Sequence, residues 1–191
     1  MKTRSWFFVV SVLAALALVP EASAYGGHYR VEGGTAYERQ QVVQALDVSA
    51  FNWSVVPWTV RITIRAGRLT SGGVDAAGIS PPRHITIRAD QLDQGIRSWG
   101  LVQHEYAHQV DFARFNDPIR MRLTPLLLAK TWWWRPGIEH ARAGAERFAT
   151  TLAWTYWPSR DNILRTADFY ESTAMAPGPF KKLMRALIGC C

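Results

Sequence analysis

One short stretch, residues 97–112, constrains the fold and the chemistry of this chain more than any other. It reads RSWGLVQHEYAHQVDF and contains the pattern His-Glu-x-x-His. Residues four apart on a helix lie one turn apart on the same face, so His104 and His108 can offer two imidazole nitrogens to one metal ion. Zinc accepts such nitrogens at about 2.0–2.1 Å. The pattern therefore predicts a helix over about residues 98–113 that carries a zinc site.

Two carboxylates in this stretch have separate predicted roles. Glu105 follows the first histidine at the rim of the same helix face, where it can take a proton from a metal-bound water instead of binding the metal. Asp111 lies three residues after His108 and can reach the same side. It is either a hydrogen-bond acceptor for a ligand imidazole or an ordinary carboxylate on the helix surface.

The first 24 residues have the three parts of a secretory signal peptide. Lys2 and Arg4 give a positive start, residues 7–19 are an apolar run, and residues 22–24 are a small-x-small cleavage site, Ala-Ser-Ala. The run is short for a membrane span and lies close to the cleavage site, which favours a signal peptide. We expect a secreted protein whose mature part, residues 25–191, is a single domain with no stable membrane span after cleavage. An uncleaved N-terminal anchor is the alternative.

Charge and cysteine content restrict the partners. The net charge of +7 suits an acidic partner or an anionic envelope, but the arginines are scattered, and the chain has no basic run and no known nucleic-acid-binding module. We therefore interpret the charge as a general property of the surface and expect no nucleic acid partner. The two cysteines, Cys190 and Cys191, are neighbours, and their Cα atoms, about 3.8 Å apart, disfavour a bond between them. The pair is free, belongs to a disordered tail, or forms a disulfide-linked dimer.

The order of the predicted elements is typical of an α+β domain. Residues 25–34 are expected to be irregular, and Thr35 begins a capping-box helix that runs to about residue 49. Alternating apolar residues then predict strands at residues 58–65 and at His84–Arg88. The Gly- and Pro-rich link between them predicts a loop or wide hairpin with a short strand near residues 78–80. Helices are expected from Asp117, over 124–132, over 138–157, from 159 to about 170, and over 180–188.

A catalytic zinc site needs a third protein ligand and an open position. In the pattern HExxHxxGxxH that ligand would fall on Arg114, which cannot bind zinc, so this version is excluded. The other option is a glutamate from a later helix. Glu146 is favoured because its small neighbours let two helices approach closely, and Glu139, beside a Pro-Gly break, is the alternative.

The residues at these positions resemble a known family. HEYAH at residues 104–108, followed by ERFA at residues 146–149, resembles the gluzincin pattern HExxH…ExxA. The finer match resembles the catalytic domain of anthrax lethal factor and its small relatives, over about residues 97–155. This resemblance implies a minimal zincin fold, in which a helix pair holds Zn²⁺ under a small twisted β-sheet. It also implies a peptide substrate along an edge strand, for which His84–Arg88 is the candidate.

One position departs from that family. Lethal-factor-like domains carry a tyrosine shortly before the ligand glutamate, where it can stabilise the oxyanion. No tyrosine lies between Phe112 and Glu146 in this chain. His140 is the nearest polar substitute, but six residues before Glu146 on a helix it would point to a different face. With Tyr156 and Tyr170 as further options, the role stays unassigned.

The resulting prediction is a secreted zinc metallopeptidase. Zinc on His104, His108 and Glu146 would lower the pKa of a water toward about 7, and Glu105 would take the proton and pass it to the leaving amine. One alternative uses the same fold and metal for non-peptide hydrolysis, or for binding an envelope component or glycan through tryptophans such as those at 132–134, although core packing is the favoured explanation for these tryptophans. The other alternative is a non-catalytic interaction protein with structural histidines.

Overall fold

A computed structural model describes residues 27–165 and 173–189. The predicted signal peptide, Tyr170 and both cysteines lie outside these residues. The strands are β1 (Tyr29–Gly33), β2 (Val60–Arg65), β3 (Thr70–Ser71), β4 (Val74–Asp75), β5 (Gly78–Ile79) and β6 (His84–Arg88). The helices are α1 (Ala36–Asp47), α2 (Ala89–Leu92), α3 (Trp99–Arg114), α4 (Asp117–Leu126), α5 (Gly144–Tyr156) and α6 (Pro177–Ile188). The fold is α+β, as predicted.

The main sheet has four strands in the order β1-β2-β6-β5. Strands β1 and β6 run parallel to β2, while β5 runs antiparallel to β6. The predicted alternation in β2 and β6 is confirmed, because Ile62 pairs with Ile85 and Ile64 with Ile87 on the buried face. A parallel pair cannot be joined by a hairpin. The link between β2 and β6 is therefore a crossover that contains the small β3–β4 hairpin, and the short strand expected near residue 78 is β5.

The prediction that His84–Arg88 is an edge strand is wrong. This strand, β6, is paired with β2 on one side and β5 on the other, so the edges of the described sheet are β1 and β5. A two-residue strand carries no hydrophobic period, which is why the sequence pattern does not reveal that β5 covers β6. The prediction that residues 25–34 are irregular is also wrong, since Tyr29 and Val31 are the buried residues of β1.

Helix α1 begins where the sequence predicts, whereas α4 runs past the predicted start of a separate helix and α5 begins later than predicted. The capping box of α1 is confirmed, with the Thr35 hydroxyl accepting from the Glu38 amide at 3.2 Å and the Glu38 carboxylate accepting from the Thr35 amide at 2.6 Å. The predicted helix over 124–132 is wrong, because α4 contains Pro125 and ends at Leu126. The predicted helix over 138–157 begins only at Gly144, whose amide donates to the Thr131 carbonyl at 2.7 Å. Residues 127–143 are therefore a loop held against the start of α5.

The hydrophobic core lies between one face of the main sheet and a layer of helices. Helix α3 packs against α1 on one side and α5 on the other, and α6 packs on α5 through Phe180, Met184 and Ile188, as its apolar stripe predicts. Within residues 27–165 and 173–189, no helix combines the length and the apolar character needed to cross a bilayer. The packing of α3 beside α5 is what brings distant parts of the sequence to one site.

Candidate metal centre

Helix α3 places the two histidines of the HEYAH motif one turn apart. Both side chains are buried, and the Nε2 atoms of His104 and His108 are 3.2 Å apart. Two imidazole nitrogens at this distance cannot both keep a proton between them, but they can share one cation. The helix over residues 98–113 is confirmed within one residue at each end.

Helix α5 brings Glu146 to the same point. The Oε2 atom of Glu146 lies 3.2 Å from His104 Nε2 and 3.4 Å from His108 Nε2. Buried Ala145 and Ala149 flank the glutamate on α5 and permit this close approach of the two helices. Among the described residues, these three side chains form a group that could hold a metal ion.

The size of this triangle fits zinc. Ligand atoms at about 2.0–2.1 Å from a tetrahedral ion are about 3.3–3.4 Å from one another. The three observed separations, between 3.2 and 3.4 Å, match one face of such a tetrahedron. Glu139, the alternative third ligand, is exposed and pairs with Arg142 at 3.4 Å. The structure therefore brings Glu146, and not Glu139, to the histidines.

Thr150 orients the first histidine, and sequence reasoning missed it. Its Oγ1 lies 3.1 Å from His104 Nδ1, so a proton on Nδ1 can be donated to the hydroxyl while the Nε2 lone pair faces the triangle. Thr150 is four residues after Glu146 and lies on the same face of α5. That spacing is the signal in the sequence that could have found it.

Glu105 stands beside the triangle without being part of it. The Ser80 hydroxyl donates to its Oε2 at 2.5 Å and to its backbone carbonyl at 3.0 Å. Burial raises the pKa of the Glu105 carboxyl above its usual value, while the two histidines and the Ser80 hydrogen bond offset part of this rise. Sequence reasoning missed Ser80 because it follows β5, 25 positions before Glu105, and only the fold makes them neighbours.

Gly78 of β5 is packed directly against Glu105. A Cβ atom built on Gly78 would lie 2.4 Å from Glu105 Oε1, far closer than any real contact. We expect Gly78→Ala to displace the Glu105 carboxylate and to lower any turnover that depends on it by about 100-fold, the cost of a misplacement of about 1 Å. Zinc content should not change. The control is Gly178→Ala, since a Cβ at Gly178 meets open space. Full activity of Gly78→Ala would contradict the assigned position of Glu105.

The ionisable side chains of the ligand group shift each other's pKa values. Burial lowers the pKa of His108, but the Glu146 carboxylate more than compensates and the net pKa is raised. Burial raises the pKa of Glu146, but both imidazoles oppose this and hold it well below its usual range. In the metal-free protein these directions favour an ion pair between protonated His108 and ionised Glu146 at a pH below the raised pKa of His108.

These pKa shifts predict that the stability of the metal-free protein falls over a pH interval in which its zinc affinity rises. The His108 contribution to stability is fully present below pH 6.5 and is lost as the pH rises through its raised pKa. The Glu146 contribution is fully present above pH 4.5 and is lost as the pH falls through its lowered pKa. We expect chelated protein to melt at a higher temperature at about pH 6 than at about pH 8, and zinc affinity to rise over the same interval because zinc needs neutral imidazole.

The control for this prediction is Glu146→Gln, which removes the partner charge. Its chelated form should lose most of the difference in melting temperature between the two pH values. An equal difference in wild type and variant would show that other groups cause the pH dependence.

Asp111 takes neither of its two predicted roles. It is fully buried, so it is not a surface carboxylate, and among the described residues its side-chain donors are Arg120 Nε and Trp132 Nε1, each at 2.9 Å. Neither ligand imidazole is one of these donors. Burial raises the pKa of the Asp111 carboxyl, and the two donors oppose the rise. Asp111 instead joins α3 to α4 and to the loop that follows α4.

His140 lies beside the three candidate metal ligands, although the sequence predicts that it points to a different helix face from Glu146. Its Nε2 is 3.5 Å from Glu146 Oε1, because residues 140–142 are a 3-10 turn and the extended backbone at Ala143 turns the chain before α5 begins. Tyr156 lies in the core, with its ring 5.0 Å from that of Phe51. Of the described options for the missing tyrosine, His140 is the one beside the ligand group.

The tryptophans named for a binding surface divide into two kinds. Trp132 is buried, which favours the packing explanation for it, whereas Trp133 and Trp134 are exposed. The rings of Trp134 and His140 are 6.5 Å apart between centroids.

Comparisons of the chain with protein-family models, with curated proteins and with solved structures give no match. The resemblance to gluzincins therefore stays a prediction that rests on the motif residues and on the arrangement described above.

Proposed function

We propose that this protein is a zinc-dependent metallopeptidase. The observation that carries the proposal is the triangle of His104 Nε2, His108 Nε2 and Glu146 Oε2, with separations of 3.2–3.4 Å and with Glu105 beside it. Two imidazoles and one carboxylate are the ligand set of many catalytic zinc sites, which keep a further position open. Secretion, a single domain and the zincin fold remain part of this proposal.

The roles of the side chains follow from their positions. Zinc, when bound, polarises a carbonyl and lowers the pKa of a water to about 7. Glu105 is the general base in this proposal, because its buried carboxylate lies beside the ligand triangle, is not one of the three ligand atoms and is positioned by the Ser80 hydroxyl. Ser80 and Gly78 hold its carboxylate in place. His140 is the candidate for stabilising the oxyanion.

The substrate in this proposal is an extended peptide that adds to β5. Alternate residues of an antiparallel strand direct their N–H and C=O groups to the partner strand. Ala77 accepts from the Arg88 amide of β6, so its neighbour Gly78 directs its own backbone groups to the open side. A peptide bonded there lies beside Glu105, and main-chain pairing of this kind is the general mode of β-augmentation. The candidate edge strand for substrate binding is therefore β5 in place of His84–Arg88.

The test combines metal analysis with a digest. Chelator-washed, zinc-reloaded protein should contain one zinc per chain and should cleave casein or a peptide library, and chelation should abolish cleavage. One bound zinc with no peptide cleavage, together with binding to glycans, would favour the alternative of a glycan-binding protein or a non-peptide hydrolase. Absence of stoichiometric zinc would favour the non-catalytic alternative.

A further inference from the structure

We propose that the exposed side of α4 and the loop after it bind to the surface of an anionic phospholipid membrane. We name this region the α4 surface. It consists of Met121, Arg122, Leu126, Leu128, Lys130, Trp133 and Arg135. The inference does not depend on the metal centre or on peptidase activity.

The α4 surface exposes large apolar side chains that a monomer normally buries. Met121 is 69% exposed, Leu128 66%, Leu126 50% and Trp133 44%. Met121 of α4 and Lys130 and Trp133 of the loop line one open groove, so the helix and the loop share this part of the surface, and Leu126 and Leu128 lie between them in the chain. Contiguous apolar groups of this kind mark interaction sites, whereas single exposed apolar residues do not.

Leu128 is the most informative of these residues. Its φ is +54°, in the left-handed region that glycine and asparagine adopt readily and that a leucine adopts only at an energetic cost. Its side chain is not used in the core either, since two thirds of it is exposed. The φ itself belongs to the C-terminal cap of α4, where the Leu128 amide donates to the Pro125 carbonyl at 3.0 Å and the Ala129 amide donates to the Thr124 carbonyl at 2.9 Å. This cap favours glycine or asparagine, and neither the cap nor the core requires a leucine at this position.

The charge of the region selects the partner. The segment from residue 117 to residue 139 contains four cations, Arg120, Arg122, Lys130 and Arg135, and one acidic residue at each end, Asp117 and Glu139, of which Glu139 pairs with Arg142 at 3.4 Å. Arg120 is paired with buried Asp111 at 2.9 Å and with Asp117 at 3.2 Å. Within residues 27–165 and 173–189, the other three cations form no ion pair. They are exposed and available to an anionic surface.

Leucine, methionine and tryptophan interleaved with cations are the composition of a segment that lies in a membrane interface. The apolar side chains enter the acyl boundary, the Trp133 ring lies at the headgroups, and the cations meet lipid phosphates. Two contacts hold the Trp133 ring in place. The Phe112 ring stacks on it with the centroids 5.7 Å apart, and the Arg120 guanidinium lies 4.9 Å from the Trp133 ring centroid. The partner is therefore a bilayer that contains anionic lipid.

The test is co-sedimentation of the purified protein with vesicles. One set contains phosphatidylcholine alone, and the other contains phosphatidylcholine mixed with phosphatidylglycerol. We expect binding to the mixed vesicles that weakens as salt is added. Arg122→Gln, Lys130→Gln and Arg135→Gln together should weaken binding by about 100-fold, since each cation near such a surface contributes about fivefold.

Two further variants make the test specific. The matched control is Arg61→Gln, Arg65→Gln and Arg97→Gln, three exposed arginines elsewhere with the same total change of charge. It should bind nearly as well as wild type. Leu126→Ser with Leu128→Asn should weaken binding at least about tenfold and should keep the fold, because asparagine suits the backbone of residue 128. Circular dichroism verifies the fold.

Three results would overturn the proposal. The first is binding to neither vesicle, or equal binding to both. The second is an equal loss in the control triple, which would indicate a general charge effect. The third is a change of oligomeric state as the only effect of the variants, which would assign the α4 surface to a second copy of the chain. The protein used is the mature form without the apolar run at residues 7–19, so that this run does not itself attach the chain to the vesicles.

Discussion

Replacing Glu105 by Gln is expected to lower peptide cleavage by about 10²–10⁴-fold while zinc stays bound. The amide has nearly the shape of the carboxylate but cannot take a proton. Glu105 lies outside the triangle of ligand atoms, so its loss should not reduce metal content. The measurement is kcat on a peptide substrate beside zinc content per chain. A variant that keeps both zinc and full turnover would exclude Glu105 as the general base.

The control for Glu105→Gln is Ser80→Ala. It removes the hydroxyl that donates to Glu105 Oε2 but leaves the base itself. The Ser80 hydrogen bond lowers the pKa of Glu105, so its loss raises that pKa and should move the acid limb of the rate profile to higher pH. Turnover at the plateau should fall far less than in Glu105→Gln.

Replacing Glu146 by Ala is expected to remove stoichiometric zinc and activity together. Loss of a group that only supports a ligand weakens metal binding about 10–100-fold, so loss of a ligand should exceed this. It also leaves two imidazoles 3.2 Å apart without the carboxylate that pairs with them. The measurement is zinc affinity by competition with a chelator.

Glu139→Ala is the matched control for Glu146→Ala. Both changes remove one glutamate from the segment before or at the start of α5, but Glu139 is exposed and bonded only to Arg142 in the described chain. Its zinc affinity should equal that of wild type. If Glu139→Ala loses zinc and Glu146→Ala keeps it, the third ligand has been assigned wrongly.

How far the sequence could predict this molecule depends on the range of the interactions. Helix α3 and the pairing of His104 with His108 follow from spacing within one helix, and the strands β2 and β6 follow from alternation. The choice of Glu146 over Glu139 used the small residues around it, which report on close helix packing. All of these signals lie within a few residues of the feature they predict.

The features that sequence reasoning missed depend on contacts between distant segments. Ser80 reaches Glu105 only because β5 folds back along β6, and Trp132 reaches Asp111 only because residues 127–143 form a loop. The same loop explains the error for His140, since a helix from residue 138 would have turned it away. No periodicity records where a chain leaves a helix to satisfy a distant hydrogen bond.

The hydrogen bond between Ser80 and Glu105 has a consequence for selectivity. It connects the residue that follows the edge strand β5 to Glu105 of α3, the proposed proton acceptor. A substrate peptide that pairs poorly with β5 and displaces this strand would also displace the Glu105 carboxylate. Preferred and disfavoured substrate peptides would then differ more in kcat than in binding affinity.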